Sequence, residues 1–420
     1  MSSILIIGAG ASGLLAARRL SAAGFTVTLL EAAFLPGGRI LTLSSPGFST
    51  PIEGGAEFIH GDLPISLQLA KEAGIPLHPV NGQMTGQVLS PDWGELMQKM
   101  GQIKEDIPIA ELLATWFSEE KYAGLRDSVR RFAEGYDLAD LHTVSTLALY
   151  KEWASEEDGE EYRPEGGYRR LVDYLVDECR RNDCTLHLSS PVSLVQWQQG
   201  RAAVTTADGR QYTADRLITT VSLGVLQQSA GAAAGPILRF SPAIPEYIGA
   251  AGQIGFGSVI KILLEFKTPF WKERKTGDQT LFILSSEPVP TWWTQTPETD
   301  LLLTGWLAGK AMQTFLQLDQ AGRIDSCLHS LAAIFSVSQD FLQQQLTASR
   351  ILDWEQAPYI RGGYSFDTIA TPAARALLSE PIAQTLYFAG EAIYEGSAPG
   401  TVEAAFSSGL AVAEKIIAQS

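Results

Sequence analysis

The chain has 420 residues, of which 45% are hydrophobic and 19% charged, and it carries a formal net charge of −16 at pH 7. That length exceeds one ordinary core and suits two domains at roughly 150 residues each, and the composition is that of an ordered soluble protein. The acidic balance argues against a nucleic-acid-binding surface and gives at most a modest pull on cationic molecules.

Cys179, Cys184 and Cys327 form neither a C-x-x-C pair nor a set with histidine at zinc spacing, so neither a disulfide framework nor a metal site is expected. The chain enters its first apolar run almost at once, without a basic leader or a cleavage site. No apolar run reaches the roughly 20 residues that cross a bilayer. The expectation is a cytoplasmic protein with no membrane, metal or nucleic-acid partner.

The first thirty-one residues organise the rest of the chain. Ile4 to Ile7 suits a buried parallel strand, Gly8, Gly10 and Gly13 give G-x-G-x-x-G, Leu14 to Ala23 has helical composition, and Phe25 to Leu30 is a second strand. The first glycine allows the tight turn, the second lets a pyrophosphate approach the backbone, and the third permits close helix-to-strand packing. Phosphates would then sit on the helix N-terminus at Ala11 and Ser12, where free N–H groups favour anions. Glu31, closing the second strand, is placed to accept from a ribose diol. The unit reads as dinucleotide-binding.

Pro36-Gly37-Gly38-Arg39 follows, and then Glu53-Gly54-Gly55-Ala56-Glu57-Phe58-Ile59-His60-Gly61. These two stretches resemble the early flavin motifs of the flavin-dependent amine oxidases, the family of monoamine oxidases, polyamine oxidases and lysine-specific histone demethylases. The resemblance implies FAD rather than NAD. It implies that Gly38 and Arg39 lie at the FAD phosphates or nearby ring atoms, that Gly54, Gly55, Ala56 and Glu57 line the flavin edge, and that His60 faces substrate as in polyamine oxidases.

A helix from Pro64 ended by Gly74, then a strand to about Val80, complete this segment. Residues 81 to 164 lose the β–α–β rhythm and carry helical stretches at Glu95 to Ile103, Ile109 to Tyr122 and Leu125 to Tyr136, an insertion that would cover the cofactor. Glu156, Glu157, Asp158, Glu160 and Glu161 form an acidic run that reads as a solvated loop. Gly166 and Gly167 before an amphipathic helix resemble the family's return to the cofactor domain, and the strand after it places Val192 at the adenine. "DRLITTVSLGVLQ" from Asp215 resembles the family's strand and turn, with Ser222 where proline is usual.

"IGFGSVIKILLEFKTPFW" from Ile254 combines an alternating strand with a single inward lysine, Lys261. A lone ammonium among apolar neighbours is costly to bury, so a surface position is the plain reading. The resemblance implies instead that Lys261 holds a water against flavin N5. Trp292, Trp293 and Trp306 are core residues on the ordinary reading; the other reading has them lining a channel whose aromatic faces attract an ammonium. Residues 319 to 348 read as two helices.

"WEQAPYIRGGYSF" from Trp354 resembles the family's W-x-x-x-P-x-x-x-G-x-Y element. Trp354 and Tyr364 match it, Ala357 replaces a frequent acid, and Gly363 stands where mammalian monoamine oxidases join FAD covalently through cysteine. Tyr364 matches one tyrosine of the aromatic cage before the flavin. The last strand and helix, from Leu386, imply Gly390 and Glu391 near the ribitol and phosphates and Val402 offering an N–H to the flavin pyrimidine ring. Thr401 takes the position of the second cage tyrosine, so the cage is half aromatic.

The resemblance covers nearly the whole chain. It implies an α/β fold, a Rossmann-like FAD-binding domain (1–80, 165–240 and 357–420) interleaved with a sheet-plus-helix substrate-binding domain (81–164 and 241–356). The implied function is oxidation of an amine by non-covalent FAD with molecular oxygen as acceptor, using Lys261, Tyr364, His60 and Thr401. An amino-acid oxidase, a desaturase of conjugated hydrocarbons and a low-turnover flavin-bound scaffold are the alternatives. The substrate and the oligomeric state are open.

Overall fold

The structure, a computed structural model, describes residues 2–420 apart from 81, 87–88, 155–159, 230–236, 274–279 and 297–300. The acidic run at 156–158 lies outside the described residues; Glu160 and Glu161 lie within them.

The N-terminal motif folds as its spacing predicts. Strand Ser3–Ile7 is the middle of a five-stranded parallel sheet, in the order Leu386–Phe388, Arg216–Thr219, Ser3–Ile7, Thr26–Leu30, Thr185–His187. Segments far apart in sequence therefore lie side by side, as in an open doubly wound sheet. Helix Ala11–Ala22 follows the glycine turn, and packs on the final helix, Val402–Ala418. Ile4, Ile6, Leu14, Leu29, Ile218, Phe406 and Ile416 meet in one core. Gly13 is required by that contact: a Cβ there would sit 2.0 Å from the Gly8 carbonyl oxygen.

A six-stranded sheet forms the second half, in the order Leu346–Asp353, Val259–Phe266, Leu302–Ala308, Thr291–Thr294, Thr280–Leu284, Gln83–Gly86. The alternation in Val259–Phe266 does not separate core from solvent, because all eight residues are buried. It separates two kinds of burial. Ile260, Ile262, Leu264 and Phe266 face a core shared with Trp292 and helix Gln320–Phe335. On the other face Leu263 packs on Ile52, Glu265 accepts from the Ser49 amide, and Lys261 meets Glu57.

The insertion is more helical than expected. Helices Trp93–Met100, Ile109–Trp116, Ala123–Gly135 and Thr146–Ala154 build a core of their own around Leu96, Leu112, Leu125, Val129 and Trp153. The expected helix over 109–122 stops at Phe117 and resumes as a 3-10 turn, Glu120–Tyr122. Helices Thr146–Ala154 and Gly309–Leu316 are additions. A small sheet of Ile59–His60, Glu161–Pro164 and Leu77–Pro79 ties the insertion's end back to the early motifs. Ser222, in the place of the usual proline, caps helix Leu223–Gln228 by accepting from the Val225 amide.

Candidate active site

A cavity of about 2130 Å³ is lined by the glycine turn, by the early motifs, by the six-stranded sheet and by the C-terminal segment. Ordinary ligand cavities hold roughly 300–1,000 Å³, so this one has room for a dinucleotide together with a small substrate. Gly8, Gly10, Ala11, Ser12, Glu31, Gly38, Arg39, Gly55, Ala56, Glu57, His60, Val192, Lys261, Trp354, Tyr364, Gly390, Glu391, Thr401 and Val402 all line it. Gly13 and Gly54 do not. Gly13 is spent on helix packing, and a Cβ on Gly54 would meet Leu352 at 2.6 Å while its carbonyl accepts from the Trp354 indole at 3.0 Å. Gly54 thus packs beside the lining residues Gly55, Ala56 and Glu57.

Gly8, Gly10, Ala11 and Ser12 of the glycine turn all line the cavity. The Ser12 hydroxyl is buried and has no hydrogen-bond partner, and it sits in the first turn of a helix whose opening N–H groups lack intrahelical acceptors. A Cβ on Gly10 would meet nothing closer than the Gly37 carbonyl at 3.9 Å. Glu31 is fixed by the amides of Ala9 at 2.7 Å and Ala33 at 2.8 Å. Burial raises its pKa and those amides oppose the rise. Arg39 donates to the Gly363 carbonyl at 2.6 Å and to Glu391 Oε1 at 2.8 Å. Glu391 also accepts from the Ser365 hydroxyl at 2.6 Å. An anion cradle, a diol acceptor and a braced arginine are the donor and acceptor set that FAD requires, and these residues fit it.

Lys261 is 1% exposed and is not alone. Its Nζ donates to Glu57 Oε2 at 2.8 Å and to the Gly55 carbonyl at 3.0 Å, and lies 5.3 Å from the centre of the Trp293 ring. Glu57 accepts in addition from Arg163 Nε and from Trp293 Nε1, each at 3.1 Å. Burial opposes ionisation of Glu57, but Lys261 and Arg163 outweigh it and its pKa falls below the ordinary value. A buried charge survives when it is paired and fully hydrogen-bonded. Two of the three ammonium donors are thus engaged.

The aromatic wall is larger than a single tyrosine. Tyr364 stacks on Trp306, with centroids 6.4 Å apart and planes 23° apart, and Trp306 meets Trp293 at 6.0 Å. Trp293 and Trp306 line the cavity, whereas Trp292 is fully buried in the sheet core. The Tyr364 hydroxyl donates to the Tyr136 carbonyl. His60 is 41% exposed in its side chain and pairs through Nδ1 with Glu161 at 2.9 Å. Thr401 caps the final helix, accepting from the Ala404 amide and donating to the Ala398 carbonyl, so its hydroxyl is already committed.

Arg163, Asp137 and Glu152 are cavity-facing or cavity-bracing residues that sequence reasoning did not single out; Glu161, read as part of a solvated acidic loop, instead opens strand Glu161–Pro164, lines the cavity and pairs with His60. Arg163 lies shortly before Gly166 and Gly167, but nothing in that stretch points to Glu57.

A family model described as "Flavin containing amine oxidoreductase" matches residues 11–417. The chain belongs to that family. Flavin-containing amine oxidoreductases similar to it include lysine-specific histone demethylase 2 of Homo sapiens, 27% identical over 99% of this chain and 53% of that protein, and polyamine oxidase 4 of Oryza sativa subsp. japonica, 26% identical over 98% and 88%. The chain spans about half the length, or less, of the histone demethylases it matches. Among solved structures, putrescine oxidase bound to putrescine superposes with a TM-score of 0.81 at 22% identity, over 99% of both chains. Cyclohexylamine oxidase from Brevibacterium oxydans superposes at 0.79 and 21%, again over 99% of both. The fold is the family's mixed α/β arrangement of FAD-binding and substrate-binding domains, and the family's cofactor is FAD.

Proposed function

We propose that the chain oxidises amines, taking an amine, oxygen and water to an aldehyde, ammonia or a shortened amine, and hydrogen peroxide. FAD, when bound, supplies the acceptor for the electron pair of the C–H bond next to nitrogen. Residues 1–80, 165–240 and 357–420 would hold it and the remainder would hold substrate.

The protein's part is placement. The turn at Gly8, Gly10, Ala11 and Ser12 takes the phosphates, Glu31 the ribose, Val192 the adenine side, and Arg39 with Glu391 the phosphate and ribitol region. Gly55, Ala56, Glu57, Trp354, Gly390 and Val402 close around the ring. Lys261 turns its remaining N–H to a water in the cavity, held there by Glu57 and Gly55. Tyr364 and Trp306 present a flat wall that orients the amine with its lone pair free, and His60, braced by Glu161, contacts it from the other side. Thr401 contributes through its backbone position, since its hydroxyl is a cap.

The observation that carries this reading is the buried Lys261–Glu57 pair on the wall of a cavity that also holds the stacked Tyr364 and Trp306. A peroxide-coupled screen of alkyl amines, aryl amines and amino acids tests it. Peroxide from amines is the expected result; peroxide from amino acids alone, or from nothing in the screen, would overturn it.

A further inference from the structure

Helix Arg169–Arg181 ends in a turn that brings two cysteines together. Asp183 has a φ of 59°, in the left-handed region, and the chain reverses there. The Asp183 amide donates to the Arg180 carbonyl at 3.1 Å and the Cys184 amide to the Cys179 carbonyl at 2.9 Å. This pair of bonds is the Schellman arrangement, in which the side chain in the helix's last turn packs on the one just past the reversal, ordinarily as an apolar contact. Here both are thiols. Cys179 Sγ lies 3.6 Å from the Leu14 carbonyl oxygen and Cys184 Sγ 3.8 Å from that of Ala17, one turn apart on helix Ala11–Ala22, and the two thiols are within hydrogen-bonding reach of each other. Cys179 is 3% exposed, whereas Cys184 is half-buried and lies between the exposed residues Asp183 and Thr185.

We propose that Cys184 and Cys179 form a peroxide-reactive dithiol. Hydrogen peroxide oxidises the Cys184 thiolate to a sulfenic acid with release of hydroxide, and the Cys179 thiol then attacks that sulfur, expelling water and closing a disulfide. The two sulfurs together lose two electrons, and the peroxide ends as two waters once the hydroxide takes up the proton that Cys184 gave up. The roles follow from access and chemistry: the thiolate is the nucleophile, Cys184 is the sulfur that solvent reaches, and Cys179 is the buried partner that resolves the sulfenic acid. The Cys179 S–H and the Ser21 hydroxyl draw the Cys184 pKa below the ordinary thiol range, against burial and Asp183. Its hydrogen bond with Cys184 and burial keep the Cys179 thiol protonated, with Arg18 and Glu178 acting in opposite directions. The main-chain bond between the two residues supplies the close approach that a disulfide demands. Cys327 has no such partner: it lies in the core of the six-stranded sheet, where burial pushes its thiol up to about 12. Amine oxidation would release the same oxidant, but the site does not depend on that reading, because peroxide can be supplied directly.

The test treats the flavin-loaded protein with hydrogen peroxide, traps the remaining thiols with N-ethylmaleimide during unfolding, and maps unreduced peptides by mass spectrometry. The parent should lose two of its three thiols and yield one cross-linked pair, Cys179 to Cys184, two hydrogens lighter and restored by dithiothreitol, while Cys327 stays alkylatable. Cys179→Ala lacks the resolving thiol, so its Cys184 should pass on to the sulfinic acid, two oxygens heavier and not restored. Cys184→Ser should keep the Cys179 thiol under the same treatment. A parent whose Cys184 stays reduced, forms the sulfinic acid as fast as in Cys179→Ala, or pairs with a second chain would overturn the dithiol and leave the two cysteines as the turn's apolar contact. The parent's own peptide map decides the question even where a variant does not fold.

Discussion

Lys261 and Glu57 form a pair 204 residues apart in sequence and 2.8 Å apart in space, and each explains the other's burial. Lys261→Met removes the donor to the cavity and one of Glu57's two cations. Breaking a buried pair typically costs about 3–5 kcal/mol; the loss here should be smaller, because Arg163 and Trp293 still hold Glu57. Thermal melts should therefore show a folded but less stable protein, improved by adding Glu57→Gln. The rate should not recover in that double variant: losing one preorganised contact costs on the order of 10² to 10³ when it acts on the transition state. Rates of reduction and reoxidation both within about twofold of the parent would make Lys261 a purely structural residue. The apolar neighbours of Lys261 made it stand out in the sequence. Glu57's second cation, Arg163, did not, because a long-range ion pair leaves no local periodicity. Asp137 and Glu152 were silent for the same reason: only the fold brings a helix end and a separate helix to one cavity.

The glycine turn and its helix give a paired test. Gly13→Ala would drive a Cβ to 2.0 Å from the Gly8 carbonyl and 2.9 Å from the Thr220 hydroxyl, and overpacking of this kind costs about 1–3 kcal/mol or more. A Cβ on Gly10 makes only an ordinary contact with the Gly37 carbonyl, at 3.9 Å, and Gly10 lines the cavity. We expect Gly13→Ala to lose both stability and flavin, and Gly10→Ala to melt like the parent while binding flavin more weakly; the reverse pattern would refute the division of roles between the two glycines. A second element-level test concerns Glu53, which joins Thr42 to the Tyr168 amide. Burial pushes its carboxyl from 4.5 up to about 7, against the pull of Lys261 and Thr42. The folded state therefore holds this proton more tightly than the unfolded chain, and stability falls as pH rises from about 4.5 to about 7. Glu53→Gln should shrink the fall in melting temperature over that range; an unchanged fall would remove Glu53 as its source. Strand, turn and helix of the first unit were legible because period and glycine spacing are local. The break at Phe117 and the two-sided burial of Val259–Phe266 were not, since both depend on what packs against them.

Across the whole molecule, the parallel-sheet unit and the six-stranded sheet share one cavity, and the flavin should be held there without a covalent bond. Gly363 has no side chain to bond with, and Cys179, Cys184 and Cys327 are not among the residues lining the cavity. Acid precipitation should leave a yellow supernatant; a yellow pellet would contradict this. Alkyl amines have a pKa of roughly 10.4, so the neutral form that yields its hydride becomes more abundant between pH 7 and pH 9. The first strand–helix–strand unit and the family's motifs could be read from the sequence; the outer strands Gln83–Gly86 and Leu346–Asp353 of the six-stranded sheet, the size of the cavity and the aromatic wall across it required the fold. The most direct test of amine oxidation in this cavity is anaerobic mixing of the flavin-loaded protein with subsaturating putrescine, with visible absorbance recorded at pH 7 and pH 9. The flavin colour should bleach, faster at the higher pH, and return when air is admitted. Colour that persists under argon with every amine tried would contradict it.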